Sequence, residues 1–162
     1  MVSLYQGVRK QTKQAGIALV EFAIVATLLF ALLFTIVDFA LYGYVKLTMQ
    51  HAVREGARYA ITGRTDLDPD EDEDGNQERG KAILQKIDLS SNGLLSKVVT
   101  TNGIKVSSNG SYINDGTFGA SGDAIVLEIA CEWPTFSPII YPLLNDGKYK
   151  FVVKTAMKNE AF

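Results

Sequence analysis

The chain has 162 residues, a formal net charge of −2 and a single cysteine. That length holds one domain, or a membrane helix followed by a domain of about 100 residues. The charge balance provides no basic surface for nucleic acid, and one cysteine excludes a disulfide within the chain, so composition favours neither a nucleic-acid-binding protein nor a disulfide-stabilised one.

A basic leader and a long apolar run occupy the N-terminal part of the chain. Residues 1–16 contain several basic residues and no acid, and we interpret them as a leader peptide. From Ile17 to Val37 only Glu21 is charged. As a helix this run would rise about 31 Å, close to the hydrocarbon thickness of a bilayer. We therefore predict a transmembrane segment at 17–40.

A cleaved secretory signal is the main alternative for this run. Such signals have an apolar stretch of about 7–15 residues followed by a small-x-small cleavage site. The run here is longer, and 37–40 offers no such site. Basic residues flank both ends, so charge does not decide the orientation. Since a short leader is easier to leave behind than a domain, we expect a cytoplasmic N-terminus and an extracytoplasmic domain at 63–162.

The helical pattern continues beyond the apolar run. Because no proline interrupts it, we predict one long helix over 17–62, with Gly63 as its C-terminal cap. Ala52, Gly56 and Ala60 fall at i, i+4 and i+8 and form a stripe of small residues, which allows close approach of another backbone or sheet. We interpret the stripe as packing on the chain's own domain, with packing between subunits as an added role.

An acidic loop follows at 64–80. It contains the first half of a calcium-binding loop, D-x-D-x-D-G, with Asp70, Asp72, Asp74 and Glu78 as the candidate ligands. The twelfth position, where a bidentate glutamate belongs, is Lys81, so the motif is incomplete. We interpret the loop as a solvated, solubilising segment and expect no cofactor, with weak Ca²⁺ binding as the alternative.

The C-terminal part changes from helical periodicity to a period of two. We predict a second helix at about 77–87, and then two strands, 97–101 and 104–107, joined by a hairpin turn at Asn102-Gly103. A weaker strand is predicted near 111–114.

Two further strands, 124–132 and 148–155, alternate strongly between apolar and charged residues. If they are antiparallel neighbours, the outward glutamates of one face the outward lysines of the other. Three prolines between them, at positions 134, 138 and 142, indicate a loop rather than a helix. The predicted fold class is α+β, with a long N-terminal helix followed by a small antiparallel sheet that has one buried face.

The sequence contains no recognisable catalytic pattern. His51 is the only histidine and lies on the helix just beyond the apolar run. Cys131 is predicted to point inward from a strand, where it packs as a small apolar side chain. We therefore predict a protein that is not an enzyme.

The residues around Gly16 resemble the cleavage site of type IV prepilins, in which a basic leader and a glycine precede a helix with glutamate at its fifth position. The resemblance implies that a prepilin peptidase cuts after Gly16 and leaves a free amine on Ile17. A carboxylate in an apolar helix costs about 2.5–3.5 kcal/mol at the membrane centre, so Glu21 needs a partner. The amine of a neighbouring, staggered subunit is one. The alternative is an interfacial glutamate of an ordinary membrane anchor.

Three short sequence motifs in the predicted helix resemble one particular family of pilin-like proteins. ALVEFA at 18–23, IVDF at 36–39 and QHAVREGARYA at 50–60 are similar to TadE-like proteins, which are minor pilins or pseudopilins of the tight-adherence (Flp, type IVc) pilus. The C-terminal KTAMKNEAF is similar to the end of those proteins. Members of that family often have a proline in the middle of the apolar segment, where this chain has Thr27. We therefore expect no proline kink.

The resemblance implies a type IV pilin-like minor pilin or pseudopilin that takes part in pilus assembly. Its expected partners are the membrane, a prepilin peptidase, other pilin subunits and the assembly machinery, in a homo- or hetero-oligomeric filament. It would occupy the bacterial inner membrane and then the pilus at the cell surface, with Phe22 in the filament core. Two alternatives stay open: a major pilin, although major Flp pilins are usually shorter, and an uncleaved membrane-anchored module for adhesion or calcium binding.

Overall fold

The computed structural model describes residues 12–69, 78–113 and 118–161, with side chains described from Gly16 onward. A long helix, α1 (Thr12–Ile61), leads into a domain whose described part has two further α-helices, α2 (Arg79–Ser90) and α3 (Leu95–Val98). Two one-turn 3-10 helices, Tyr141–Leu143 and Asn145–Gly147, lie near its C-terminal end. The strands are β1 (Val99–Ser108), β2 (Ser111–Ile113), β3 (Ala124–Pro134) and β4 (Lys148–Lys158). They form one antiparallel sheet in the order β2-β1-β3-β4. The predicted α+β fold class is confirmed.

Helix α1 is continuous over 50 residues, which corresponds to about 75 Å. It begins five residues before the predicted start at Ile17, so the end of the predicted leader is helical. At Thr27 the hydroxyl donates a hydrogen bond of 2.7 Å to the carbonyl of Ala23, and the helix passes this position without a break. After Ile61 the chain leaves the helix through Gly63, whose φ of 66° is the left-handed conformation that glycine adopts at least cost.

Strands β3 and β4 pair as the alternation predicted. Glu128 lies opposite Lys154, and Glu132 lies opposite Lys150. The corresponding Nζ–carboxylate distances are 2.7 Å and 3.6 Å on the outer face. The inner face is buried and consists of Ile125, Leu127, Ile129 and Cys131 from β3 with Phe151 and Val153 from β4. The core lies between this face, α2 and the C-terminal half of α1.

The predicted hairpin at Asn102-Gly103 is wrong. Both residues lie within β1, where the register with β3 shifts between Val99 and Ile104 and Asn102 takes a φ of 58°. The turn that joins β1 to β2 is instead Asn109-Gly110, with φ values of 49° and 87°. Both Asn-Gly pairs suit a tight turn. Pairing with β3 turns the first into a bulge, since a Cβ on Gly103 would lie 2.7 Å from the Ala130 carbonyl oxygen.

The remaining differences concern element ends. The second helix was predicted at 77–87 and is observed as α2, and the predicted strand at 97–101 begins as the one-turn helix α3. Leu95 and Val98 are three residues apart and both buried, which favours a helical turn there. The weaker strand near 111–114 is β2, and its predicted last residue lies outside the described residues.

The thiol of Cys131 is buried on the inner face of β3, and burial raises its pKa to about 11. It should therefore stay protonated and resist alkylation by iodoacetamide at pH 8, because the thiolate is the nucleophile. We expect mass spectrometry to find Cys131 unmodified in the folded chain and fully modified after denaturation. Ser111→Cys, at an exposed position of β2, should react in the folded chain. Equal reaction of both thiols in the folded chain would contradict this assignment.

Candidate membrane and assembly surface

The N-terminal half of α1 exposes almost all of its apolar side chains. Between Ile17 and Phe34 the leucine, isoleucine, valine and phenylalanine side chains are exposed, and Phe22 is among the most exposed of them. The helix is long and apolar enough to cross a membrane, with a mean hydropathy of 2.7, and none of its most apolar window is buried within the chain. An apolar surface of this size is normally covered by lipid or by other subunits.

The residues of the predicted processing site lie at the start of this exposed surface. Helix α1 runs through the Gly16–Ile17 peptide bond, and Glu21 follows one helical turn after Ile17. The Glu21 side chain is exposed, as are Ile17 and Phe22. A carboxylate on an otherwise apolar surface needs a partner when that surface is covered.

The domain is attached to α1 through a buried carboxylate that sequence analysis did not single out. Asp38 is only 1% exposed. It accepts hydrogen bonds from the Thr135 hydroxyl, from the Phe136 backbone N–H at 3.1 Å and from the Tyr149 hydroxyl at 3.2 Å. We call these four residues the Asp38 cluster. Charge-assisted hydrogen bonds of this kind are stronger than neutral ones, so the cluster fixes the domain to the helix.

Aromatic side chains extend the Asp38 cluster along α1. The ring of Tyr42 stacks on Tyr149 at a centroid distance of 4.6 Å and meets Phe151 edge-on at 5.6 Å. Burial raises the pKa of the Tyr149 hydroxyl, and its hydrogen bond to Asp38 raises it further. The hydroxyl therefore stays protonated at neutral pH and remains a donor to the carboxylate.

The Asp38 cluster lies inside the predicted 17–40 transmembrane segment. A further contact joins the Thr35 and Ser137 hydroxyl oxygens at 3.1 Å. Among the described residues, the hydrogen bonds between α1 and the domain that lie nearest the N-terminus are therefore at positions 35 and 38. The exposed helix from Ile17 to Phe34 measures about 27 Å, which still approaches the thickness of the hydrocarbon layer.

The stripe of small residues in α1 packs against the chain's own domain. Ala52, Gly56 and Ala60 are all buried. A Cβ built on Gly56 would overlap Cγ1 of Ile87 in α2 and lie 2.8 Å from its Cδ1. The absence of side chains on this face of α1 lets α2 approach closely, so the stripe is already covered within one chain.

The end of α1 is held by residues far along the chain. The Arg79 guanidinium donates to the Ala60 carbonyl at 2.6 Å and to the Asn159 side-chain oxygen at 3.0 Å. The Glu160 backbone N–H donates to the Ile61 carbonyl at 3.1 Å. A cation at the C-terminus of a helix complements the helix dipole. The C-terminal KTAMKNEAF therefore includes the residues that attach β4 to the top of α1.

The other candidate residues do not form a site in the part of the chain that the structure describes. Asp70, Asp72 and Asp74 lie outside it, and Glu78 is exposed with its carboxylate 3.5 Å from the Lys81 ammonium. Within the described ranges, no group of three or more histidine, cysteine or acidic residues is placed to hold a metal. His51 is exposed on α1.

Comparison with known protein families gives a match that lies within α1. Residues 16–58 match the family model described as TadE-like protein. Over these residues the chain is similar to TadE-like proteins. Neither the search of curated proteins nor the search of solved structures returned a match.

The TadE-like segment contains the main features described above. It begins at Gly16 and includes Glu21, Asp38 and the first two residues of the small stripe. The match ends before α2, so it does not extend to the domain that follows α1. The match confirms the resemblance drawn from the helix.

Proposed function

We propose that this chain is a minor pilin or pseudopilin of a tight-adherence type IV pilus, processed after Gly16 and assembled through the exposed half of α1. The observation that carries the proposal is that the match to TadE-like proteins starts at this glycine and covers a helix whose apolar side chains are left uncovered within the chain. Lipid covers such a surface before assembly, and neighbouring helices cover it in a filament.

Processing would give Glu21 its partner. Cleavage after Gly16 leaves an α-amino group on Ile17, which is largely cationic at neutral pH because its ordinary pKa is about 7.7–8.0. In one helix the amine and the carboxylate lie one turn apart along the axis. Between helices staggered along a filament, the amine of one subunit approaches Glu21 of the next. Because burial of both charges costs nearly as much as their attraction returns, the pair sets the register more than the stability.

The domain at 63–162 would lie outside the cytoplasm, on the surface of the membrane or filament. Its attachment supports this arrangement, because the Asp38 cluster and the Arg79 contacts hold it against α1 at two levels. A domain fixed in this way follows the orientation of its helix, so helix packing alone determines where the domain faces.

A chain of 162 residues is long for a major Flp pilin, and length therefore favours the minor role. The copy number in purified filaments distinguishes the two roles. The uncleaved anchor is the second candidate, and the exposed apolar helix supports membrane attachment in that case too. It differs in retaining residues 1–16.

The decisive test is the mature N-terminus. We expect the intact mass of the chain, expressed with a prepilin peptidase, to fall by that of residues 1–16, and N-terminal sequencing to begin at Ile17. Gly16→Leu should retain the full mass under the same conditions. A chain that keeps Met1 with and without the peptidase would exclude the pilin mechanism and leave a plain membrane anchor.

Substitutions at Glu21 should distinguish an effect on processing from an effect on assembly. We expect Glu21→Ala to be cleaved normally but to enter filaments about tenfold less than the parent chain, since the buried amine then lacks a counter-charge. Glu21→Asp, which keeps the charge on a shorter side chain, should retain part of the assembly. Quantitative immunoblots of sheared filaments against the membrane fraction measure this ratio. Unchanged assembly of Glu21→Ala would remove the proposed pair.

A further inference from the structure

The connection between β3 and β4 lies at the end of the sheet that faces the apolar half of α1. Strand β4 runs alongside the helix, because Tyr149 at its start stacks on Tyr42, while Glu160 just beyond its end is bonded to Ile61. The strand therefore starts near the membrane end of the domain and finishes near the top of α1. The segment 135–147, which precedes β4, is at the membrane end.

Hydrogen bonds define how far this segment reaches along the helix. Thr135 is bonded to Asp38, and Ser137 is bonded to Thr35, one helical turn closer to the N-terminus. Three helical residues correspond to about 4.5 Å, so the segment descends along α1 as it leaves β3. Ser137 is thereby held beside Thr35, where Ile36, Val37 and Phe39 continue the exposed apolar surface of α1.

The chemistry of the segment is that of a membrane interface. Positions 133–145 contain no charged residue. The exposed side chains are Phe136 at 65%, Ile139 at 49%, Tyr141 at 59% and Leu143 at 76%. We call positions 136–144 the apolar loop. Aromatic and aliphatic side chains exposed together on a domain are unusual in water, whereas phenylalanine and tyrosine suit the boundary between headgroups and acyl chains.

We propose that the apolar loop inserts into the headgroup region of the bilayer beside α1 and forms a second contact of this chain with lipid. Its apolar surface is continuous with that of the helix, which lipid must cover if α1 spans the membrane. The loop then binds as an interfacial segment does, by burying a shallow apolar face. With the Asp38 cluster it holds the domain against the membrane surface before assembly. The inference rests on insertion of α1 and not on cleavage after Gly16.

The test uses tryptophan emission from the full chain in phosphatidylcholine vesicles, with and without lipids brominated on their acyl chains. Trp133 is the only tryptophan, so Trp133→Phe provides a silent background. Leu143→Trp places the probe in the apolar loop. Leu89→Trp is the matched control, because Leu89 is also an exposed leucine and lies in α2 near Ile87, which packs on Gly56, about 27 Å further along α1 than Asp38. Phe30→Trp reports insertion of the helix.

We expect brominated lipid to reduce the emission of Leu143→Trp and Phe30→Trp about twofold and to leave Leu89→Trp unchanged. Quenching of Phe30→Trp without quenching of Leu143→Trp would overturn the loop inference alone. No quenching of either probe would overturn both the loop inference and the membrane span. If the Leu143→Trp emission shifts to the blue only in assembled filaments, the loop contacts neighbouring subunits and the lipid assignment is wrong.

A second measurement avoids the change at Trp133. A nitroxide attached to Leu143→Cys in the otherwise unchanged chain should collide more often with oxygen than with a water-soluble nickel complex when the chain is in vesicles. The same label at Leu89→Cys should show the reverse order. The native Cys131 does not interfere, because its thiol is buried. Equal accessibility of the two labels to the nickel complex would contradict the proposal.

Discussion

Asp38→Ala is expected to lower the free energy of unfolding of the domain by about 3 kcal/mol. The change leaves the Thr135 hydroxyl, the Phe136 N–H and the Tyr149 hydroxyl without their acceptor at a site that is closed to water. Asp38→Asn should cost less, because it keeps the shape and one acceptor oxygen. Urea unfolding in detergent micelles, followed by Trp133 fluorescence, measures the difference.

The control for this prediction is Asp146→Asn. Asp146 is exposed in the same connection between β3 and β4, at a φ of 58° that asparagine also tolerates. Its replacement should change the free energy of unfolding by less than about 0.5 kcal/mol. If Asp38→Ala unfolds at the same urea concentration as Asp146→Asn, the Asp38 cluster does not hold the domain on the helix.

A local readout shows whether the cluster positions the connection or only stabilises the domain. Hydrogen exchange of the Phe136 amide should accelerate strongly in Asp38→Ala, because that N–H donates directly to the missing carboxylate. Amides in the centre of β3, such as that of Leu127, should exchange as slowly as in the parent chain under strongly native conditions. Uniform acceleration across both segments would indicate general destabilisation instead.

The elements that depend on neighbouring residues could be predicted from the sequence. Alternation along β3 and β4 placed Glu128 opposite Lys154 because side chains of a strand point to opposite faces in turn. The continuity of α1 from Ile17 to Ile61 followed from an uninterrupted helical pattern, and the small stripe followed from its four-residue spacing. These signals are local, so the sequence carries them completely.

Features that depend on distant partners could not be predicted. Two Asn-Gly pairs carry the same turn preference, and only pairing with β3 makes the first a bulge and the second a hairpin. Asp38 ends an apolar run, a position at which an acid commonly marks the membrane surface. Its hydrogen-bond partners follow about 100 residues later, and no local pattern connects them with it. The signal that was present is the position of Asp38 in IVDF, a motif shared with TadE-like proteins.

The same distinction applies to the apolar loop. It contains Pro138 and Pro142, whereas Pro134 is the last residue of β3. The prolines correctly indicated that this connection is not an α-helix, because proline lacks the N–H that an α-helix requires, and only one-turn 3-10 helices form there. The sequence also shows that the loop is uncharged. Its position beside the apolar half of α1 emerges only when Thr35 and Ser137 are seen in contact. The sequence therefore predicted a loop, and the fold shows that this loop lies beside the apolar half of α1.

Two glycines of α1 form a matched pair that tests what the small stripe is for. Gly56→Ala is expected to destabilise the domain by about 1–3 kcal/mol, because the new methyl group would overlap the fully buried Ile87 in a packed core. Gly43→Ala meets nothing within 4 Å and should stabilise the helix by up to about 1 kcal/mol. Urea unfolding of the two variants in the same detergent gives both values.

Removal of the obstructing side chain completes this test. In the double variant Gly56→Ala/Ile87→Ala the overlap is gone, so the two changes should cost less together than the sum of the single variants by about 1 kcal/mol or more. Such coupling requires that α2 of the same chain fills the stripe. If the stripe instead serves contacts between subunits, Gly56→Ala will leave the unfolding midpoint of the isolated chain unchanged and will reduce filament assembly alone. Whether Gly56→Ala lowers the free energy of unfolding of the isolated chain or leaves it unchanged therefore decides whether this face of α1 is occupied before assembly begins.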